Sequence, residues 1–457
     1  MSFPYQSLFF VGVAGTGMSA IAQYLAGKGL KISGSDRQFQ QNDKTEIQQQ
    51  LERAGIVCHK QDASGIGRHI DAVVVSTAIE ESNVEYQKAQ SLGIPVIKRS
   101  AVLAMISDEA RTIAIGGTSG KSTTTAMIFH ILQTCGKQPS LITGAGLSSL
   151  QRSGLIGNAF VGESDWLVIE ADESDGSIVG YHPEIALLLN IERDHKEMDE
   201  LLQLFGTFKS HTKRAFIVNR DQKESRSLSA NAANDFACND VTAGFKGDDF
   251  CQEGFCIRFK VNGIACQLPL IGRHNMENSL AAIAACVQAG VSIEDAVKAL
   301  ASFEGIYRRT QLIGRSQSNI YVIDDFAHNP SEVACAIKAC QSVASKVVAY
   351  FQPHGFGPLR FMHKQLADDV AAVLRPSDVF IVGDVYYAGG TVTRDIQADV
   401  VSDRIAAQGG NALYGKDKDY SAQLISQQVA PNAVVLIMGA RDPNLTDWAR
   451  LILNQLL

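Results

Sequence analysis

Thr112-Ile113-Ala114-Ile115-Gly116-Gly117-Thr118-Ser119-Gly120-Lys121-Ser122-Thr123 is an apolar run, a glycine-rich turn and a Gly-Lys-Ser triplet in direct succession. The apolar run predicts a strand and the residues after Lys121 a helix. A strand that feeds a helix through such a turn aims backbone N–H groups and the positive end of a helix dipole at an anion. Gly117, Thr118, Ser119, Gly120, Lys121, Ser122 and Thr123 are therefore the candidate nucleotide loop, with Lys121 reaching the terminal phosphates and the Ser122 hydroxyl placed to ligate Mg²⁺. Only three residues separate Gly116 from Gly120, one fewer than the usual pattern, which sets the loop apart from common GTPases and kinases. The competing reading, a plain Gly/Ser turn, does not account for strand, loop, Gly-Lys-Ser and helix occurring in that order.

Outward from this loop, short apolar runs alternate with helical patterns, the signature of parallel α/β architecture. Before it, Leu8–Val13 runs into a glycine turn and a periodic stretch from Met18 to Ala26, and Ile32, Val73–Val75 and Pro95–Ile97 mark further strands. After it, Trp166–Ile169 and Ile185–Leu189 are apolar without alternation, as buried central strands are. Residues 235–270 read as an antiparallel insert with turns at Gly247, Gly254 and Gly263. A third unit follows through Ile320–Ile323, Val347–Phe351, Val379–Val382 and Val434–Met438. The expected organisation is three αβ domains, 1–108, 109–312 and 313–457.

Composition narrows the function classes. The chain has 457 residues, 46% apolar and 19% charged, an ordinary globular balance. A net charge of −7 with no lysine/arginine cluster argues against nucleic acid as the main partner. No apolar run is long enough to span a bilayer and the first residues lack a signal-peptide pattern, so the expectation is a cytoplasmic protein acting on small molecules, as a monomer or homodimer. Nine cysteines are dispersed without a CxxC pair, which reads as reduced thiols rather than a metal or disulfide framework.

Other motifs surround the loop. Gly12-Val13-Ala14-Gly15-Thr16-Gly17 has G-x-x-G-x-G spacing, with Met18 and Ser19 opening the helix and Asp36 nineteen residues after Gly17. By itself this fits NAD, another nucleotide, or a tight βα turn. Glu170 ends one strand and His195 follows another, both at carboxyl ends where ligands of parallel sheets sit; a carboxylate and a neutral imidazole there are candidate magnesium ligands. His195 could equally be a structural residue, and Asp172, Glu173 and Asp175 a solvated acidic turn. Asn275 and Asn278 share a helical face and carry the donor and acceptor an adenine edge needs, or Asn275 is a helix cap. Arg308-Arg309 and Asp324-Asp325 could clamp a phosphoryl group and a ribose, or be surface charges and caps.

Taken together, and in this order, these segments resemble the Mur ligase family: Gly12–Ser19 with Gly34-Ser35-Asp36, Ser76-Thr77-Ala78-Ile79, Gly117–Thr125, Glu170–Asp175, Asn190-Ile191 with Asp194-His195, Gly272–Asn278, Gly305 with Arg308-Arg309, Asp324–Pro330, Phe351–His354, Tyr387-Ala388-Gly389 and Met438-Gly439-Ala440. The resemblance spans essentially the whole chain. It implies a Rossmann-like first domain, a central P-loop ATPase domain and a Rossmann-like last domain. The implied activity is ATP- and Mg²⁺-dependent joining of an amine, L-alanine the first choice, to the carboxylate of UDP-N-acetylmuramate in peptidoglycan synthesis, through an acyl phosphate. The resemblance implies that Lys121 holds the β/γ-phosphates; Ser122, Glu170 and His195 hold magnesium; Asn275 and Asn278 meet adenine; Arg309 touches the γ-phosphate; and Asp325 the ribose. Gly12, Ala14, Gly15, Thr16, Gly17, Met18, Ser19, Asp36, Ser76 and Thr77 would take the UDP-sugar, and His328, His354 and Arg360 the acceptor side.

Three departures stand out. Ser119 replaces a histidine usual in alanine-adding members, Gly355-Phe356-Gly357-Pro358-Leu359-Arg360 replaces an Arg-Tyr-Thr-Arg stretch, and Gly390 replaces a glutamate. The ATP half is therefore expected to be orthodox and the loops on the amine side altered. The remaining alternatives are a relative that adds a peptide, an NAD(P)-dependent oxidoreductase using the first glycines, and a regulator without catalysis.

Overall fold

The computed structural model describes residues 3–40, 43–174, 176–192, 197–387 and 393–456. Its first sheet holds β1 (Ser7–Val11), β2 (Lys31–Asp36), β3 (Val57–Lys60), β4 (Ala72–Val75) and β5 (Val96–Lys98) in the order β3-β2-β1-β4-β5, all parallel. Every residue of β1 and β4 is buried, as strands covered on both faces must be. The chain reverses direction of travel beside β1, and the open crevice at that switch point lies at the carboxyl ends of β1 and β4.

The second sheet contains β6 (Arg111–Gly116), β7 (Ser140–Ile142), β8 (Ala159–Phe160), β9 (Trp166–Glu170), β10 (Ile185–Leu188) and β11 (Ala215–Val218), ordered β11-β10-β6-β9-β7-β8. β6 lies between β10 and β9, parallel to both, so Gly116, Glu170 and Leu188 end at one edge of the sheet. The expected insert exists as β12 (Phe236–Ala237), β13 (Phe245–Glu253), β14 (Cys256–Val261) and β15 (Ile264–Leu268). Two of its features differ from expectation. β12 pairs parallel with β13, and Gly247 is not a turn but lies within β13. A Cβ at Gly247 would come 2.7 Å from Leu280, so glycine is there for close packing. Gly254 and Gly263 do turn the chain, each with positive φ.

The last sheet comprises β16 (Gln311–Arg315), β17 (Tyr321–Asp325), β18 (Val347–Phe351), β19 (Val379–Gly383), β20 (Ala412–Gly415) and β21 (Val434–Met438), ordered β16-β17-β21-β18-β19-β20. All pairings are parallel except β16 with β17. Along β18, Val347, Ala349 and Phe351 join one hydrophobic cluster, and Val348 and Tyr350 another, so helices cover both faces. Strands β3, β7, β8, β11, β16 and β20 were not anticipated: they are short or carry polar residues at edges. Residue 312, taken above as a domain end, falls inside β16.

The described chain forms two compact units. One is Met1–Asp249, Phe259–Gln267 and Met276–Ile306; the other is Phe250–Arg258, Leu268–Asn275 and Tyr307–Leu457. No described helix is long and apolar enough to cross a membrane.

Candidate functional site

At the end of β6 the loop is built largely from backbone. Gly117 and Gly120 have φ of +132° and +86°, conformations side-chain-bearing residues rarely adopt. A Cβ would come 3.1 Å from the Asn190 backbone at Gly117, and 2.6 Å from Asn278 Oδ1 at Gly120. Asn190 grips the loop: its Oδ1 accepts from Ser119 N at 2.7 Å, its Nδ2 donates to Ser119 O at 2.9 Å, and its carbonyl accepts from Thr118 N. Ser119 is thus tied through its backbone. The helix Lys121–Thr134 starts at the loop, and Ser122 is buried in its first turn with Thr123 beside it. The resulting cradle has the shape a phosphate chain requires.

Lys121 Nζ folds back onto this cradle. It donates to Gly117 O at 2.6 Å and Thr118 O at 3.2 Å, and pairs with Glu173 Oε2 at 3.1 Å. Glu173 is only 8% exposed, so it is not part of a solvated acidic turn. Burial raises its pKa, and the Lys121 charge opposes that rise. Sequence reading gave this residue no site role; the available signal was its place three residues beyond Glu170. Glu170, at the end of β9, accepts from Gly144 N at 2.7 Å and from the Thr143 hydroxyl. His195 and Asp194 lie outside the described residues, and among those described no group of three or more potential metal ligands converges.

In the first sheet, the turn after β1 is pinned from β2. Gly12 N and Val13 N donate to Ser35 O, and Ala14 N donates to Asp36 Oδ2 at 3.2 Å. Behind Ser35, its hydroxyl donates to Glu85 at 2.5 Å; burial pushes that carboxyl up to about 7. A cavity of about 260 Å³ opens in front, lined by Gly12, Gly15–Met18, Val75–Ala78 and Lys98–Ser100. Ser76 and Thr77 face it as expected of site residues. Ala14, Ser19 and Asp36 are not among its lining residues, and Ser19 is fully buried, accepting from Asn158 Nδ2 at 2.9 Å. The sequence reading passed over Lys98 and Arg99. A Cβ on Gly17 would collide with the Arg99 guanidinium, so the glycine makes room for that cation over the turn. The signal was a basic pair at the carboxyl end of the strand containing Val96 and Ile97.

Asn275 and Asn278 lie in the first turns of the helix His274–Gln288, so Asn275 is not its cap. Asn275 Nδ2 donates to Ile271 O at 2.8 Å.

The second unit arranges its charges through side chains. Arg308 and Thr310 both have positive φ, 56° and 50°. Arg308, 5% exposed, donates from Nε to Asp324 at 3.0 Å and from Nη2 to Gly439 O. Thr310 donates from N and Oγ1 to Asp325 Oδ2, and Ala327 N donates to Asp325 Oδ1 at 2.7 Å. Burial raises both aspartates, opposed by Arg308 at Asp324 and by Arg309 at Asp325. Asp324 and Arg308 are thus a buried structural pair rather than surface charges. Arg309 lies over the Phe326 ring with its guanidinium 3.9 Å from Glu332. His328 and His354 meet edge to face, centroids 5.2 Å apart.

The stretch Gly355–Arg360, expected as an altered loop, is instead the beginning of the helix Phe356–Val373. Gly355 at φ 142° precedes it, and Pro358 falls in the first turn, where no helical N–H is lost. Arg360 is exposed and pairs with Asp395 and Thr393 O. Gly390 lies outside the described residues.

With this geometry in view, three family models match the chain: "Mur ligase family, catalytic domain" over residues 8–111, "Mur ligase middle domain" over 115–286 and "Mur ligase, glutamate ligase domain" over 308–441. The chain belongs to the Mur ligase family, three-domain α/β enzymes that form amide bonds with ATP. Among its relatives are the UDP-N-acetylmuramate–L-alanine ligases of Syntrophomonas wolfei, 32% identical with 96% of this chain and 95% of the relative covered, and of Streptomyces avermitilis, 33% identical with 98% and 97% covered. In fold it is similar to the UDP-N-acetylmuramate–alanine ligase of Thermotoga maritima, with a TM-score of 0.81, 24% identity and 98% of each chain covered. It is also similar to the murein peptide ligase of Psychrobacter arcticus, with a TM-score of 0.69, 21% identity, and 99% and 98% covered.

Proposed function

We propose that this chain joins L-alanine to the carboxylate of UDP-N-acetylmuramate at the expense of ATP, in the cytoplasmic part of peptidoglycan synthesis. The carrying observation is end-to-end similarity to ligases of that name, together with a loop at Gly117–Ser122 that has no room for a Cβ at Gly117 or Gly120. On this reading residues 1–108 hold the UDP-sugar, 109–312 ATP, and 313–457 the amine.

The residues present suit the chemistry. A carboxylate is a poor acyl donor; ATP with Mg²⁺ supplies the activation, through a mixed acyl phosphate, and takes up the charge that develops. Lys121 would leave Glu173 for the β/γ-phosphates, and the helix start at Lys121–Ser122 would supply backbone donors, since the Thr118 and Ser119 N–H groups are held by Asn190. Ser122, Glu170 and His195 would hold the metal. As the family resemblance implies, Arg309 would meet a γ-phosphate, Asp325 a ribose, and Asn275 and Asn278 an adenine. The cavity beside Gly12–Met18 takes the pyrophosphate, with Lys98 and Arg99 supplying the countercharge its backbone donors lack. His328 and His354 face the amine side, where the acyl phosphate must be kept from water until attack.

The test is phosphate release with UDP-N-acetylmuramate against a panel of amino acids and peptides. L-alanine should give the highest kcat/KM. Release only with peptides would move the protein to the peptide-adding branch, and no amine-dependent release with any member of the panel would overturn the reading.

A further inference from the structure

One carboxylate in the second unit reaches both groups assigned above to the two ends of the reaction. Glu332 stands in the first turn of the helix Pro330–Gln341, whose N-cap is Asn329. Its Oε2 accepts from the His328 backbone N at 3.2 Å and lies 3.1 Å from His328 Nδ1. Its Oε1 lies 3.9 Å from Arg309 Nη1. Phe326 fills the angle between them, under the Arg309 guanidinium and edge-on to the His328 ring. The Glu332 side chain is 18% exposed, so these contacts are made largely out of water.

A helix-capping residue alone would explain the first of these bonds. Capping, however, asks only for an acceptor, which glutamine supplies as well as glutamate. The contacts to an imidazole N–H and a guanidinium use the negative charge. We propose that Glu332 is a positioning residue that fixes Arg309 and His328 through a single carboxylate, keeping the phosphoryl clamp and the amine-side imidazole in register. This rests on the functional reading above. The electrostatics agree: burial would raise Glu332, but the His328 bond and charge, then Arg309, bring it down to about 2. Burial would lower His328, and the same carboxylate wins and holds it above its ordinary value. The groups facing His328 are Glu332, Arg309 and the His354 ring.

Glu332→Gln separates the two roles, since it keeps the cap and deletes the charge. The expected result is a folded enzyme whose kcat falls roughly 10–100-fold, as small misplacements at a reacting centre do. KM for L-alanine should rise while KM for UDP-N-acetylmuramate is unchanged, and the alkaline limb of kcat/KM for L-alanine should move to lower pH. Glu332→Asp, which restores the charge, should recover part of the loss. Parent-like kinetics and pH profile in Glu332→Gln would overturn the proposal and leave only a cap. Should that variant not fold, histidine NMR of the parent decides, with the His328 resonance assigned by His328→Gln. Titration above 6.5 supports the proposal, and titration at or below it overturns it. That titration needs no turnover, so it stands even if the parent shows no L-alanine-dependent phosphate release, a result that would sink the functional reading alone.

Discussion

Lys121 and Arg309 are both assigned to phosphate, yet the protein holds them by opposite means. Lys121 stands on a loop made of glycine backbone and rests on one carboxylate and two carbonyls, partners it can leave. Arg309 sits between two left-handed residues, each locked to a buried aspartate: Arg308 to Asp324 and Thr310 to Asp325. Such conformations cost about 1–3 kcal/mol each and persist only where surrounding contacts over-determine them. The first cation is designed to move and the second to stay. Changes in the loop should therefore register in turnover, and changes around the bracket in stability as well.

The sharpest test of that difference is Arg308→Ala. Removing one partner of a buried pair leaves Asp324 uncompensated at 0% exposure, and such losses run to about 3–5 kcal/mol. Denaturant unfolding of the full chain should show it; an unchanged midpoint would dissolve the contrast. Lys121→Ala is the opposite case. Turnover should drop by about 10²–10³, the usual cost of removing a donor aimed at developing charge, with the unfolding transition essentially unmoved. Near-parent phosphate release from the folded variant would mean that the loop does not do this work.

A smaller effect concerns pH. Because His328 is raised, the stability it gains from Glu332 is complete below its ordinary 6.5 and is lost as pH climbs through the raised value. Because Glu332 is lowered, the same pair holds above 4.5 and fades as pH falls towards 2. Glu332→Gln should thus destabilise most between 4.5 and 6.5, by about 1 kcal/mol once solvent at His328 is allowed for. A pH-independent difference between the two melting curves would contradict this. The smallest change belongs to Arg360, exposed and paired with exposed Asp395. Arg360→Ala should leave the unfolding midpoint essentially unmoved. KM for L-alanine measures whether it touches the amino acid: a rise of tenfold or more would place it in the acceptor pocket, and an unchanged KM would remove it.

How legible each region was follows from the same contrast. Strand, glycine turn and Gly-Lys-Ser are contiguous, so the cradle at Gly117–Ser122 could be read from one line of sequence. The buried parallel strands were equally plain, because apolar runs such as Val347–Phe351 need no partner to be recognised. What the sequence hid was tertiary. The positions of Glu173 and Arg99 at strand carboxyl ends hint at a site, but their partners Lys121 and Gly17 are brought to them only by the fold. Gly247 looked like a turn because glycine serves close packing as readily as reversal. Gly355–Arg360 looked like a loop because Gly and Pro break helices in the interior but are welcome at the start.

If the loop takes phosphates as proposed, the pairing of Lys121 with Glu173 makes nucleotide entry an exchange and not an addition. The loop already carries an anion, an internal one, in salt-bridge contact with the lysine that a phosphate would claim. Arriving phosphates displace it, so part of their attraction is consumed in breaking a contact the protein makes with itself. The evicted carboxylate remains in a pocket with little water, stripped of the charge that opposed its rising pKa. It must then acquire either a proton or a cation. On the proposed function, nucleotide affinity would thereby be coupled to two solution variables, acidity and divalent metal, through a residue that need never touch the nucleotide.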